Sequence, residues 1–343
     1  MSSSFSRDVG SKTLTFEAGK LAQKANGALT VRYGDSVLLA TATMSNPREG
    51  IDFFPLSIEF EERHYARGKI PGSFFRREGR PSTEATLIAR MTDRPIRPLF
   101  PKGFNNEIQV IIITLSSDQE NPLDVLAIIG ASTALSISDI PFEGPIGATQ
   151  MGYVDGQLVV NPTYEQLAMS ELDLIAVGSK DGVIMIESGA KEMPEDLVLE
   201  AIKRAQEVNQ EVIELQEELV RSIGKAKVSV EVESHPEELD QRAATILGGR
   251  LASALSSSAD KADRAEQLDA LKTQLAEDLG DEFQATDINK TFDGLVEKEF
   301  RSHVLAGGSR PDGRGAQEMR PISCEVAVLP RTHGTGLFAR GET

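Results

Sequence analysis

Short runs in which apolar and polar residues alternate dominate the first 190 positions, and each is bounded by turn residues. Residues 28–33 (ALTVRY) and 36–43 (SVLLATAT) flank Gly34-Asp35, the composition of a tight hairpin. In 52–60 (DFFPLSIEF) the residues Phe54, Leu56, Ile58 and Phe60 recur with period two, which predicts a half-buried strand. A Gly- and Pro-rich stretch over 66–82 reads as a long loop, of a length usually either functional or disordered. Ser82 then suits an N-cap, with Glu84 in the first turn of a helix through about Met91. Pro95 and Pro98 predict that this helix stops near Arg94. A strand over Ile108–Leu115 leads to Asn121-Pro122, read as cap and first-turn proline of an apolar helix ending near Ser136. Two further hairpins turn at Asp155-Gly156 and Asp181-Gly182.

From Pro194 the period changes to that of helices. The run EDLVLEAIKRAQEVNQEVIELQEELVRSI carries apolar residues at helical spacing, and further helices are predicted near 236–256, 260–279 and 284–305. Such a region reads most simply as a packing or spacer domain. After Gly307-Gly308 β-type sequence returns, and the end resembles the beginning: GALTVRYGDS at 27–36 aligns with GTGLFARGET at 334–343. Gly27 matches Gly334, Val31 matches Phe338, and Gly34-Asp35-Ser36 matches Gly341-Glu342-Thr343. The first copy continues at once into a second hairpin strand, and the second copy stops at its turn. An unpaired strand edge is unfavourable, so the expectation is that this is the N-terminal portion of a longer protein.

Composition narrows the functional classes. The chain has 343 residues and a formal net charge of -17. No apolar stretch reaches the ~18 residues of a membrane helix, and the N-terminus lacks the apolar core of a signal peptide, so a cytoplasmic protein without a membrane partner is expected. One cysteine, Cys324, excludes an intrachain disulfide and a Cys-rich zinc site. Acidity at first argues against nucleic acid, but the charge is uneven. Residues 63–102 hold ten basic side chains against three acids, a net of +7. Residues 191–301 hold 26 acids against 14 bases. A cationic stripe on an anionic body concentrates a polyanion at one place and repels it elsewhere. Each arginine taken singly reads first as an internal ion-pair partner; the cluster as a whole favours an anion site.

The run IPGSFFRREGRPSTEATLIARMTDRPIRPLFPKGF (70–104), then GASTALSISDIPFEGPIGA, then RPDGR and LPRTHGTGLFARGET, closely resembles the bacterial polynucleotide phosphorylase family along the whole chain. The resemblance implies an α/β (α+β) RNase PH-like domain over 1–190, an all-helical domain over 191–306 and the truncated start of a second RNase PH-like domain over 307–343. It implies a homotrimeric ring that degrades single-stranded RNA from the 3′ end. Inorganic phosphate is the co-substrate, Mg²⁺ the metal and nucleoside diphosphates the products, and the reaction is reversible. RNA-degradation assemblies are implied partners. In such proteins the phosphate- and metal-binding residues lie in the second RNase PH-like domain, past its first hairpin, so no catalytic or metal-ligating residue is assigned to this sequence.

Phe74, Phe75, Arg76 and Arg77 match the family's pore loop, where aromatics stack on bases and arginines meet phosphates. Phe74 and Phe75 read from composition alone would equally be core aromatics; their Gly/Pro-bounded, Arg-rich setting favours exposure. Arg80, Arg90, Arg94 and Arg97 match basic positions that follow the loop. Arg90 and Arg94 are four apart and would share a helix face, whereas Arg94 and Arg97 could instead hold the Asp93-Arg94-Pro95 turn together. Two other readings stay open: a non-catalytic RNA-threading or assembly module, and an anion-binding α/β protein unrelated to RNA.

Overall fold

A computed structural model describes residues 3–47, 53–72, 78–230, 237–256 and 261–343. The chain forms two compact units, Met1–Val232 and Glu233–Thr343. The first is built on two sheets. β1 (Ser3–Val9), β2 (Lys12–Ala18), β3 (Gly27–Tyr33), β4 (Ser36–Ser45), β5 (Leu56–Glu61) and β6 (Glu107–Ser116) lie in the order β1-β2-β3-β4-β6-β5. All neighbours are antiparallel except β5 and β6. β7 (Gly147–Val154), β8 (Gln157–Val160), β9 (Leu172–Gly178) and β10 (Val183–Ala190) form an antiparallel sheet in the order β10-β9-β7-β8.

The expected hairpins form at their turn residues. Gly34 adopts φ +62° between β3 and β4, and Asp155 and Gly156 both take positive φ between β7 and β8, as two-residue turns require. β3 buries Gly27, Leu29, Val31 and Tyr33, the period-two face that its alternation predicts. β1, whose sequence SSFSRDV is largely polar, pairs with β2 from Ser3↔Ala18 to Val9↔Lys12. Phe54 lies before β5 rather than in it, in a cluster with Phe100 and Phe104 at ring separations of 4.6 and 5.8 Å.

Among the described residues, four α-helices complete the unit: α1 (Thr83–Ile96), α2 (Asp124–Ile137), α3 (Tyr164–Met169) and α4 (Glu195–Ile223). Every residue of α2 from Val125 to Ile137 is buried, because the helix packs on β3 and β4 of one sheet and β7 of the other; an all-round apolar helix demands such a place. It begins at Asp124 rather than at the expected Asn121-Pro122 cap. Asn121 is spent elsewhere: it accepts a hydrogen bond from Lys12 Nζ (2.9 Å) and donates to Asp118 (2.5 Å).

The boundary expected at residue 190 moves to about 232, because α4 belongs to the core of the first unit. Its inner face, including Ala205, Val208, Val212, Leu215 and Leu219, is buried, against β7, β9, β1 and α2. Two buried amides sit on that face. Gln216 Oε1 accepts from Ser132 and Thr133 (2.8 and 3.0 Å), while its Nε2 donates to Ile146 O (2.8 Å). Asn209 accepts from Thr149 (2.8 Å) and donates to Ala176 O (3.2 Å). Buried polar groups are tolerated when so satisfied, and removing one partner would expose the full desolvation cost. Past the helix, Lys227 Nζ donates to the carbonyls of Leu135, Ser136 and Ser138 at 2.8–3.0 Å, closing the C-terminal end of α2.

The second unit contains α5 (Glu237–Leu247), α6 (Arg250–Ser256), α7 (Lys261–Leu279) and α8 (Ala285–Leu305). The helix expected over 236–256 is split at Gly248-Gly249, where Gly248 takes φ +48°. Leu239, Leu247, Leu251, Leu275, Leu279 and Phe292 are among its core. β11 (Ile322–Val326) and β12 (Gly336–Arg340) pair as an antiparallel ribbon. That ribbon repeats β2–β3 in detail: Cys324 opposes Phe338 as Phe16 opposes Val31. Gly341 (φ +60°) repeats the turn conformation of Gly34. Among the described residues, no helix is long and apolar enough to cross a membrane.

Candidate RNA-binding face

The long loop begins after β5 with a single 3-10 turn, His64–Arg67, closed by Gly68 at φ +67°. Its base is held on both sides. Ser117 N–H donates to Ala66 O (2.9 Å), fixing the loop to the end of β6. On the return, Glu78 accepts from the His64 N–H (3.4 Å) and faces Arg63 at 3.9 Å. Hydrogen bonds from its own and the His64 N–H hold the Glu78 carboxyl below the usual range. Ser82 donates to Glu62 (2.6 Å) and caps α1 by accepting from Ala85 N–H (3.0 Å). The residues between these anchors include Phe74, Phe75, Arg76 and Arg77, which lie outside the described residues.

Behind the loop, Asp118 ties the β3–β4 turn to the end of β6. Burial pushes its carboxyl up, but hydrogen bonds from the Asn121 and Glu120 N–H groups, the Asn121 amide and Ser36 prevail and hold it at about 2. Asp35 N–H adds a further contact at 3.2 Å. The neighbouring Gln119 side chain accepts from Arg67 at 2.9 Å.

The four arginines that follow the loop divide into two kinds. Arg80 and Arg90 are exposed, and neither has a hydrogen-bond or ion-pair partner among the described residues. Arg94, one turn beyond Arg90, instead reaches β10, with Glu187 at 2.5 Å and Met185 Sδ at 3.0 Å. Arg97 is occupied more completely. It donates to both Asp93 oxygens (2.9 and 2.6 Å) and to the carbonyls of Phe54 and Leu56 (3.2 and 3.1 Å). It also lies 5.9 Å from the Phe54 ring centre. These contacts explain why α1 runs on to Ile96 through Pro95 instead of stopping near Arg94. Pro95 and Ile96 are buried, and the Arg97 contacts offset the backbone bond that proline removes at the end of the helix.

Two surface residues beside the loop escaped the sequence reading. Tyr65 exposes its ring from the 3-10 turn, and Ile70 is 91% exposed. The signal for Tyr65 was an aromatic set between basic residues, in HYARGK; an alternation search does not find it. Among the described residues, no three His, Cys, Asp or Glu side chains gather as a metal site would require. Those residues therefore offer no carboxylate cluster to hold a Mg²⁺ ion.

Comparison with known proteins follows this architecture closely. The model of the 3′ exoribonuclease family, domain 1, matches residues 10–141, and that of domain 2 of the same family matches 144–208. The second match runs well into α4, in keeping with the helix's place in the first unit. The polyribonucleotide nucleotidyltransferase RNA-binding domain matches residues 238–315. A polyribonucleotide nucleotidyltransferase of Dehalococcoides mccartyi is 47% identical over 341 residues, 99% of this chain and 47% of that protein. One from Roseiflexus sp. is 49% identical over 351 residues, 99% of this chain and 46% of that protein. The chain thus spans about half the length of the curated relatives it matches. Among solved structures, rice (Oryza sativa) Rrp46 shares the fold at TM-score 0.50 and 16% identity, covering 62% of this chain and 96% of that one.

Proposed function

We propose, because this chain belongs to the polyribonucleotide nucleotidyltransferase family, that its first unit presents an RNA-binding face to a phosphorolytic 3′-to-5′ exoribonuclease. The observation that carries this reading is the pair Arg80 and Arg90, exposed and without a partner among the described residues, following a loop whose two ends are anchored. Guanidinium groups left free can neutralise successive phosphates of a single strand. Phe74 and Phe75 supply stacking surfaces that tolerate any base, and Arg76 and Arg77 further phosphate contacts. Arg94 and Arg97 stand behind this face and position it. A rigid base with cationic and aromatic groups at its rim suits threading of a strand rather than reading of its sequence.

The whole enzyme, in this proposal, is a cytoplasmic homotrimeric ring acting in RNA degradation. Inorganic phosphate attacks the terminal phosphodiester and nucleoside diphosphates leave, with Mg²⁺ held by residues outside those described here. The 343-residue chain supplies the binding and assembly parts. Incubation of this chain with poly(A), phosphate and Mg²⁺ tests that division. Poly(A) is expected to bind without release of ADP, and ADP release would show catalysis by the chain itself. Replacement of Phe74, Phe75, Arg76 and Arg77 by Ala is expected to weaken poly(A) binding clearly; unchanged binding would favour an anion site unrelated to RNA.

A further inference from the structure

The two units differ in how their cavities treat polar groups. In the first unit a cavity of about 20 Å³ lies among Val9, Tyr33, Asn121, Gln150 and Asn161. Its polar lining is committed: Tyr33 donates to Val9 O, Gln150 to Asp173, and Asn161 accepts from Gln150 N–H. The second unit has a cleft of about 220 Å³, lined by Leu255, Glu299, Phe300, His303, Ser309 and Arg310 among others. There the polar groups are largely unspent. Glu299, His303 and Ser309 make no side-chain hydrogen bond among the described residues, and Arg310 uses one guanidinium N–H on Ala316 O (2.7 Å).

The walls of this cleft are well braced. α8 ends at Leu305, Gly307 follows at φ +85°, and Gly308 N–H donates to His303 O (3.0 Å). A Cβ on Gly308 would fall 2.4 Å from His303 Nε2, so the imidazole lies directly against the departing backbone. The chain then makes a closed turn in which Arg310 N–H donates to Arg314 O and Gly313 N–H to Arg310 O, each at 2.8 Å. Arg264 of α7 pins that turn through Pro311 O at 2.8 Å.

We propose that this cleft binds a nucleoside phosphate. Phe300, 36% exposed, offers a ring face for base stacking. Arg310 and His303 offer N–H donors to phosphate oxygens, Arg310 with the fork that suits them. Glu299, one helical turn from His303, is an acceptor for ribose hydroxyls, a role carboxylates fill in other nucleotide sites. One ring, one sugar and a phosphate use all four groups, whereas a bare anion would meet Glu299 repulsively and leave Phe300 idle. The cleft belongs to the second unit alone and is independent of the Arg80–Arg90 face.

Calorimetric titration of the full chain with ADP tests the proposal. Saturable binding is expected, weakened about tenfold by Arg310→Gln and by Phe300→Ala. Glu299→Gln, which keeps size and fold, is expected to weaken it about threefold. Competition then separates two sources of the same chemistry: displacement of ADP by 5′-phosphorylated oligo(A) identifies an RNA end, and its failure to compete identifies free nucleotide. Absence of saturable ADP binding overturns the proposal, as does wild-type affinity in both Arg310→Gln and Glu299→Gln at undiminished helical circular dichroism. Arg80→Ala with Arg90→Ala should leave ADP binding unchanged, so failure here and failure of the RNA-binding face are distinguishable.

Discussion

Arg80 and Arg90 on one side, and Arg94 and Arg97 on the other, come from the same cationic stripe and the same short helix region, yet they stand in opposite electrostatic circumstances. The first two are exposed without partners among the described residues. Arg97 satisfies one carboxylate and two carbonyls, and Arg94 is held at Glu187. A guanidinium that is already paired has little to offer a phosphate, because it must first give up a charge-assisted bond of similar strength. In the proposed function the four positions therefore serve two purposes: one pair meets a polyanion, and the other holds the helix end from which the stripe is displayed.

The sharpest way to break this division is Arg97→Ala. It strands the Asp93 carboxylate and the Phe54 and Leu56 carbonyls, and should cost about 2 kcal/mol of unfolding free energy after allowance for its partial exposure. Chemical denaturation measures the loss, and RNA affinity of the folded variant should stay within about twofold of wild type. A large drop in affinity with no change in stability would reverse the assignment. Next in size is Arg80→Ala with Arg90→Ala, which should weaken single-stranded RNA binding about tenfold and reduce the salt slope by about 1.4, two phosphate contacts' worth. Its stability should remain within about 0.5 kcal/mol of wild type. The smallest effect is expected of Arg94→Ala. Its ion pair is half-exposed at both ends, 53% and 52%, and is worth about 0.5 kcal/mol at most. A salt slope lowered by this variant would show that Arg94 leaves Glu187 for RNA.

Much of the scaffold is legible in the sequence. Turn chemistry placed the hairpins at Gly34-Asp35, Asp155-Gly156 and Asp181-Gly182, because only a few residue types adopt those backbone conformations and they do so locally. The repeat between 27–36 and 334–343 reappears as two ribbons of matching register. What escaped was whatever depends on a partner distant in the chain. β1 and β2 were not anticipated, because β1 is polar in sequence and is held by its ladder with β2. Asn121 looked like a helix cap because its engagement by Lys12, 109 positions away, has no local trace. α1 outran its proline because residues near 54 and 56 hold Arg97.

The contrast extends to the ends of the molecule's organisation. α4 and the helices after Glu237 share an acidic, amphipathic character, and periodicity alone grouped them in one domain. Packing separated them: Asn209 and Gln216 find Thr149, Ser132 and Thr133 in the first unit, so α4 completes that core. The sequence by itself determined the local conformations, the cationic stripe, the repeat and the family, since these follow from residue type and spacing. Only the tertiary structure decided which unit owns α4, which arginines are engaged by carboxylates and carbonyls, and where polar groups without partners among the described residues surround a cleft. Those outcomes turn on bonds between residues tens to hundreds of positions apart, and a bond is made or left unmade only when the chain has folded.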